Sequence, residues 1–215
     1  MGLIRILLAD DHEVVRAGYR RLLENMENTQ DIEVIAEVAS GEDAYSRYCE
    51  LQPDVVVMDL TMPGMGGLEA SRRILAQDSS AKILVFSVHE NEVMLNRALD
   101  VGVLGYISKR SASQVMIEAV RKVAAGQMYV GQEMMTFLLK RKTSPDNDMV
   151  SGLSLREFEV FHLLADGKSV NDVAQLLNLS PKTVGHYMTS IKSKLGIANI
   201  SDLTRLAIRL GIINP

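Results

Sequence analysis

Short apolar runs alternate with amphipathic stretches through the first 125 residues, the pattern of repeated strand and helix units around a parallel sheet. Five runs stand out: Ile4 to Ala9, Ile32 to Val38, Asp54 to Met58, Ala81 to Val85 and Val103 to Ile107. Each is too short for a helix and too continuously apolar for a sheet with one wet face. Between them, Val14, Val15, Gly18, Leu22 and Leu23 form the stripe of a first helix, with Arg16, Arg20, Arg21 and Glu24 on its other face. Leu68, Ile74 and Leu75 mark a third helix, and Val115, Ile117, Ala119, Val120 and Val123 a fifth. Right-handed crossovers then predict an α/β domain, a doubly wound (βα)5 parallel sheet of order 2-1-3-4-5. Its reactive groups should gather at the carboxyl ends of the strands.

The pattern changes at residue 126. Gly126 and Gly131 are expected to flank a short Met-rich helix, and the polar stretch KRKTSPDNDMVSG, with Pro145, reads as a linker. From Leu153 onward the periodicity is helical. Ser154 and Glu157 make a capping box before Phe158, Phe161, Leu163 and Leu164, and Ser169 with Asp172 repeats it before Val173, Leu176 and Leu177. Ser180 followed by Pro181 starts a third helix to about Leu195, and a fourth runs from Ser201 to Leu210. The expected division is therefore 1–125, a linker over 126–150, and a smaller all-α domain over 151–215.

A length of 215 residues supports two domains, since single domains usually run to about 100–150. No apolar run approaches the ~18 residues that cross a bilayer. MGLIRILLADDHE runs quickly into acids without a small-residue cleavage site, so it reads as a strand and not a leader; Ile6 also stands where myristoylation would want Ser or Thr. The single cysteine, Cys49, excludes an internal disulfide and a cysteine zinc site, suits a reducing cytoplasm, and is expected to be a small buried hydrophobe. The net charge of −4 is unevenly spread. Residues 1–125 hold 13 Lys and Arg against 19 Asp and Glu, whereas residues 151–215 hold 7 against 5. Only the second part would be drawn to a phosphate backbone.

Asp10 and Asp11 end the first expected strand and Asp59 the third, and these strands are neighbours in a 2-1-3-4-5 sheet. Three crowded carboxylates repel unless a hard divalent cation holds them, and Mg2+ favours one or two carboxylates, waters and a phosphate oxygen. Lys109 after the fifth strand brings one positive charge, and Ser87 at the end of the fourth a hydroxyl. A nucleophilic carboxylate, Mg2+, a lysine and a hydroxyl can together accept a phosphoryl group as an acyl phosphate. Other neighbours have plainer readings. Asp54 lies at the opposite end of the sheet and is expected to be structural; Tyr106 should be partly buried; His12 has no second histidine near it in sequence to complete a metal site.

ADDHEVVRAG, VVVMDLTMPGMGG, FSVHE and GYISK together resemble the four motifs of response-regulator receivers, in particular those of the NarL/FixJ family, which have a flavodoxin-like fold. The resemblance implies that Asp59 is phosphorylated by a sensor histidine kinase. It also implies that Asp11, Asp59 and the Thr61 carbonyl bind Mg2+, with Asp10 assisting through water. Ser87 and Lys109 would bind the phosphoryl group, Tyr106 would change rotamer with Ser87, and Thr61 and His89 would occupy positions that tune phosphoryl lifetime.

Residues 152–197 resemble a LuxR-type helix-turn-helix that binds double-stranded DNA. The Pro181 helix carries Lys182, His186, Lys192 and Lys194 and no acid, while Val184, Met188, Ile191 and Leu195 form its apolar stripe. Such a helix can lie in the major groove. By resemblance, Gly185, His186 and Thr189 face bases, and Lys182, Thr183 and Lys192 lie nearer the backbone. Gly185, Asn171 and Ile200 depart from the family, where charged or polar side chains are common, so readout and electrostatic attraction should be weaker. The full expectation is a switch in which phosphorylation draws Ser87 and Tyr106 inward, reshapes the fourth-helix and fifth-strand face, and frees or dimerises the DNA-binding part as a homodimer. Two rivals are a Mg2+-dependent aspartyl phosphatase, disfavoured because Thr61 stands where the second acid is needed, and a regulator whose receiver only dimerises. A third is a helical part that binds protein.

Overall fold

The computed structural model describes residues 2–25, 29–111, 113–140, 150 and 152–213. Strands β1 (Ile4–Ala9), β2 (Ile32–Val38), β3 (Val55–Met58), β4 (Ile83–Ser87), β5 (Gly105–Ser108) and β6 (Tyr129–Val130) form one parallel sheet in the order β2-β1-β3-β4-β5-β6. Helices α1 (Glu13–Asn25), α2 (Gly41–Leu51), α3 (Gly67–Gln77), α4 (Glu92–Val101) and α5 (Ser113–Ala124) connect the first five strands and follow the last of them. Alternation along the strands sorts side chains to two covered faces. Ile6, Leu8, Val55, Val57, Leu84, Phe86 and Ile107 pack with Leu23 of α1 and Met116, Ile117 and Val120 of α5. Leu7, Ala9, Val56, Met58, Ile83 and Val85 pack on the opposite face with residues of α2, α3 and α4.

The doubly wound sheet and its order agree with the sequence, with an added strand. β6 pairs beside β5 through Tyr129 N–H to Leu104 O (3.1 Å) and Gly131 N–H to Tyr106 O (2.9 Å). Two residues are too few to show a period. The Met-rich helix therefore lies after Gly131 and not between the glycines: a 3-10 turn (Gln132–Met134) leads into α6 (Met135–Lys140), with Met134 fully buried. The expected linker residues 141–149 lie outside the described residues.

Three other expectations are corrected. β4 and β5 begin two residues later than their apolar runs, because Ala81 and Val103 are still engaged in turns closing on Asp78 and Ala98. In α1, Val14 is 85% exposed and Gly18 is exposed; the buried side is Val15, Tyr19, Leu22 and Leu23, with the Tyr19 ring set edge-on to Phe86. Cys49 is exposed, because Ala44 and Tyr48 take the inward side of α2.

The C-terminal part contains α7 (Leu155–Ala165), α8 (Val170–Leu176), α9 (Pro181–Leu195) and α10 (Ile200–Arg209). Both expected capping boxes are present, Ser154 with Glu157 and Ser169 with Asp172, and Ser180 caps α9 ahead of Pro181 at its first turn. Phe158, Phe161, Leu164, Val173, Val184, Ile191, Leu203 and Leu206 fill the core.

This helical part docks on the sheet domain. Arg156 at the start of α7 donates to Gly64 O (2.7 Å) and to Leu177 O (2.6 Å), and Gly64 N–H donates to Leu176 O (3.0 Å). From α4, Arg97 donates to the carbonyls of Val150 and Leu153, its guanidinium lying 3.9 Å from the centre of the Phe158 ring. An apolar core continuous through Met94, Val150, Leu153 and Phe158 joins the two parts.

Candidate functional site

The carboxyl ends of β1, β3, β4 and β5 meet at one point, as the topology requires. Asp59 follows β3 with its N–H on Ala9 O (2.8 Å), and Asp10 follows β1 with its N–H on Val38 O (3.1 Å). Both are buried, at 2% and 1% exposure, whereas the Asp11 side chain is 31% exposed. Lys109 N–H is held on Ser87 O at 2.8 Å, which points its side chain back over the strand ends. Its Nζ lies 2.8 Å from Oδ2 of Asp59 and 2.5 Å from Oδ2 of Asp10. Gly67 at the start of α3 is a necessity of this packing: a Cβ there would sit 1.7 Å from the Asp59 carbonyl oxygen.

The electrostatics follow from burial. Desolvation pushes the Asp59 carboxyl up to about 6, despite the opposing pull of Lys109. At Lys109 burial opposes the charge, but Asp59 and Asp10 outweigh it and hold the ammonium above its ordinary range. Donor atoms of Asp10, Asp11, His12 and Asp59 all lie within 4.8 Å of one another. This oxygen-rich set suits a hard cation. His12 lies against it, its Nδ1 2.9 Å from Asp11 and 3.3 Å from Asp10.

The remaining residues expected at the site surround Asp59. Thr61 N–H donates to Asp59 Oδ1 (3.2 Å). Ser87 is fully buried, and its Oγ accepts from His89 N–H (3.3 Å). Tyr106 is wholly buried where partial exposure was expected, its hydroxyl donating to His89 O (2.7 Å), and burial pushes that hydroxyl well above its ordinary pKa. Asp54 accepts from Arg5 N–H (2.8 Å) at the far end of the sheet, a structural role.

His89 carries more than its sequence position suggests. Its Nε2 lies 3.0 Å from Thr61 Oγ1, and its ring meets His162 of α7 edge to face, centroids 4.6 Å apart and planes at 88°. Burial, with repulsion from His162 and Lys109, pushes His89 down to about 3, and burial lowers His162 as well. In both, burial favours the neutral imidazole. His162, Arg97, Arg156 and Glu159 were not singled out by sequence reasoning, since no motif links them to the strand ends.

On α9, Lys182, His186 and Thr189 are exposed, and Thr183, Gly185 and Lys192 are partly exposed. Thr183 Oγ1 lies 2.8 Å from the Ser180 cap, and Thr189 Oγ1 donates to Gly185 O at 3.0 Å. A Cβ on Gly185 would meet nothing within 4 Å, so the fold itself does not demand glycine there. Lys194 pairs with Glu157 at 2.7 Å. Met188 is only partly buried within the apolar stripe.

Comparison with known proteins agrees with this geometry. Residues 6–121 match the response regulator receiver domain, and residues 151–207 match the bacterial regulatory proteins of the luxR family. The response regulator UvrY of Escherichia coli (strain K12) is 39% identical over 99% of this chain and 97% of its own length. The response regulator GacA of Pseudomonas aeruginosa is 36% identical over 99% of each. Among solved structures, RcsB of Salmonella enterica serovar Typhimurium, bound to a promoter in the presence of the phosphomimetic BeF3-, superposes with a TM-score of 0.67 at 27% identity, covering 94% of this chain and 97% of that one. The chain belongs to the two-component response regulators of the NarL/FixJ family, with a receiver domain and a LuxR-type DNA-binding domain.

Proposed function

We propose that Asp59 accepts a phosphoryl group from a sensor histidine kinase in a Mg2+-dependent reaction, and that this controls dimerisation and DNA binding. The observation that carries the reading is the single lysine ammonium shared between two buried carboxylates at the strand ends. Asp59, at the strand ends, can attack phosphorus, while Lys109 offsets the charge of the incoming oxygens and the Ser87 hydroxyl can donate to them. Asp10, Asp11, Asp59 and the Thr61 carbonyl would hold Mg2+, which supplies charge neutralisation of the phosphoryl oxygens. Tyr106 and Ser87 are the switch pair, already linked through the backbone of His89.

The output is a LuxR-type helix-turn-helix in which Gly185, His186 and Thr189 face base edges and Lys182, Thr183 and Lys192 face the backbone. Lys182, His186 and Thr189 are exposed while the two parts are docked through α7, the end of α8 and α4. Unmasking of this helix is therefore not needed, which favours dimerisation on paired half-sites as the response. Exposed Ile200 and Ile208, eight residues apart on one side of α10, support pairing with a second copy. The expected division into receiver (1–125), linker (126–150) and DNA-binding domain (151–215) goes with this reading, except that β6 carries the receiver's sheet into the expected linker; a cytoplasmic location goes with it too. No helix among the described residues is long and apolar enough to cross a membrane. The chain is a regulator and not a classical enzyme, and catalyses only its own phosphoryl transfer and loss.

Incubation with acetyl phosphate and Mg2+ followed by intact-mass and peptide analysis tests the reading. One phosphoryl adduct on the peptide containing Asp59, absent from Asp59→Ala and on omission of Mg2+, is expected. An adduct elsewhere, or none, contradicts it.

A further inference from the structure

We infer that His162, a residue of the DNA-binding domain, is a positioning residue for the phosphoryl chemistry of the receiver, acting through His89. The inference rests on Asp59 being the phosphoryl acceptor. His89 is a junction of four contacts: its N–H donates to Ser87 Oγ (3.3 Å), its carbonyl accepts from the Tyr106 hydroxyl (2.7 Å), its Nε2 meets Thr61 Oγ1 (3.0 Å), and its ring packs on His162 (4.6 Å). The first three reach residues around Asp59, and the fourth crosses to α7.

The Thr61–His89 bridge forms part of the rim of the site, because Thr61 lies two residues beyond Asp59 and His89 two beyond Ser87. Outside that rim lies a cleft of about 680 Å³ between the domains, lined by Asp11, Thr61, His89, Phe158 and His162 among others. The bridge covers part of the way from the cleft to Asp59, and Asp11 borders the same cleft. Edge-to-face packing fixes ring orientation as well as burying area, so His162 holds the His89 ring against Thr61. Without His162, the ring is backed by the open cleft and the bridge loses its support.

The step affected is hydrolysis of the acyl phosphate. Water oxygen forms a new bond to phosphorus as the bond from phosphorus to the Asp59 carboxylate oxygen breaks. The carboxylate keeps that electron pair, and the protons of water pass to the released phosphate and solvent. A closed rim slows the approach of water, so the docked DNA-binding domain lengthens the life of the phosphorylated state. In this way the output domain feeds back on the chemistry that controls it.

The test is the half-life of the phosphoryl group on the full-length protein, measured by phosphate release after acetyl phosphate is removed, in wild type, His162→Ala, His162→Phe, His89→Ala and the double alanine variant. His162→Ala should shorten the half-life by about threefold or more, the size expected for residues in direct contact. His162→Phe, which keeps an aromatic edge against His89, should restore it. His89→Ala should shorten it similarly, with no further loss in the double variant. An unchanged half-life in His162→Ala, failure of His162→Phe to restore a shortened one, or effects that multiply in the double variant would overturn the inference while leaving Asp59 as acceptor. Absence of any adduct on wild-type Asp59 would overturn the acceptor reading as well.

Discussion

Lys109 shows how finely the site is balanced at the scale of single residues. Its ammonium is the positive charge shared by Asp10 and Asp59, both buried. Removing one partner of a buried charged set leaves the others unpaired, which costs about 3–5 kcal/mol. Lys109→Met should accordingly destabilise the receiver by that order in urea unfolding without Mg2+, and added Mg2+ should recover part of the loss; stability equal to wild type would mean the carboxylates are not charged together. The acids, Ser87 and Lys109 were legible from sequence because each follows a strand in a topology that fixes which strands are neighbours. His12 was set aside as a ligand for want of a second histidine, yet it joins the acidic cluster. His162 and Arg97 left no local signal, since their meaning lies in partners on the other domain.

At the scale of elements, periodicity located five of the six strands and the first, third and fifth receiver helices, but not their ends. Gly102, with φ of +103°, closes α4, and its turn consumes the first residues of the apolar run that becomes β5. A hydrophobicity pattern carries no record of that turn. The helices of the DNA-binding domain were legible almost to the residue because caps mark their starts chemically. Two outcomes test the reading of α9. Gly185→Ala should stabilise the helical domain by about 0.5–1 kcal/mol in thermal unfolding, since the added methyl enters open space. Should it also weaken DNA binding, close approach of the backbone to the groove is the reason for glycine there. Lys182→Ala and Lys192→Ala should each reduce the slope of log affinity against log salt by about 1, with little change in sequence preference; an unchanged slope would remove that lysine from the phosphate contacts.

The arrangement of the whole molecule was not legible in sequence, because docking rests on side chains meeting carbonyls far along the chain. Glu159 of α7 is the clearest case. Its Oε2 lies 2.8 Å from Arg156, its Oε1 has no hydrogen-bond partner, and a Cβ on Gly66 of the receiver would come within 2.2 Å of it. Burial in the docked state pushes its carboxyl up to about 7, against the opposing pull of Arg156. An undocked Glu159 would titrate near the ordinary value of about 4.3. The sign follows: below that value both states are protonated and docking is at full strength, and as pH rises toward 7 only the undocked state gains by ionising, so docking weakens. Small-angle scattering should therefore give a larger radius of gyration at pH 8 than at pH 5.5, and Glu159→Gln should remove the dependence. Arg156→Ala should expand the molecule at both pH values by removing the bond to Gly64 of the receiver; a radius unaffected by pH and by all these changes would contradict the docked arrangement.

The central claim is that phosphorylation of Asp59 controls DNA binding, and it is tested most directly by DNA binding of wild type and Asp59→Ala, each with and without Mg2+ and acetyl phosphate, on a fragment selected from genomic DNA. Phosphorylation should tighten binding of the wild type several-fold and leave that of Asp59→Ala unchanged. Equal binding by both proteins under every condition would contradict it, and would make the receiver a dimerisation module whose acidic site does not govern the output.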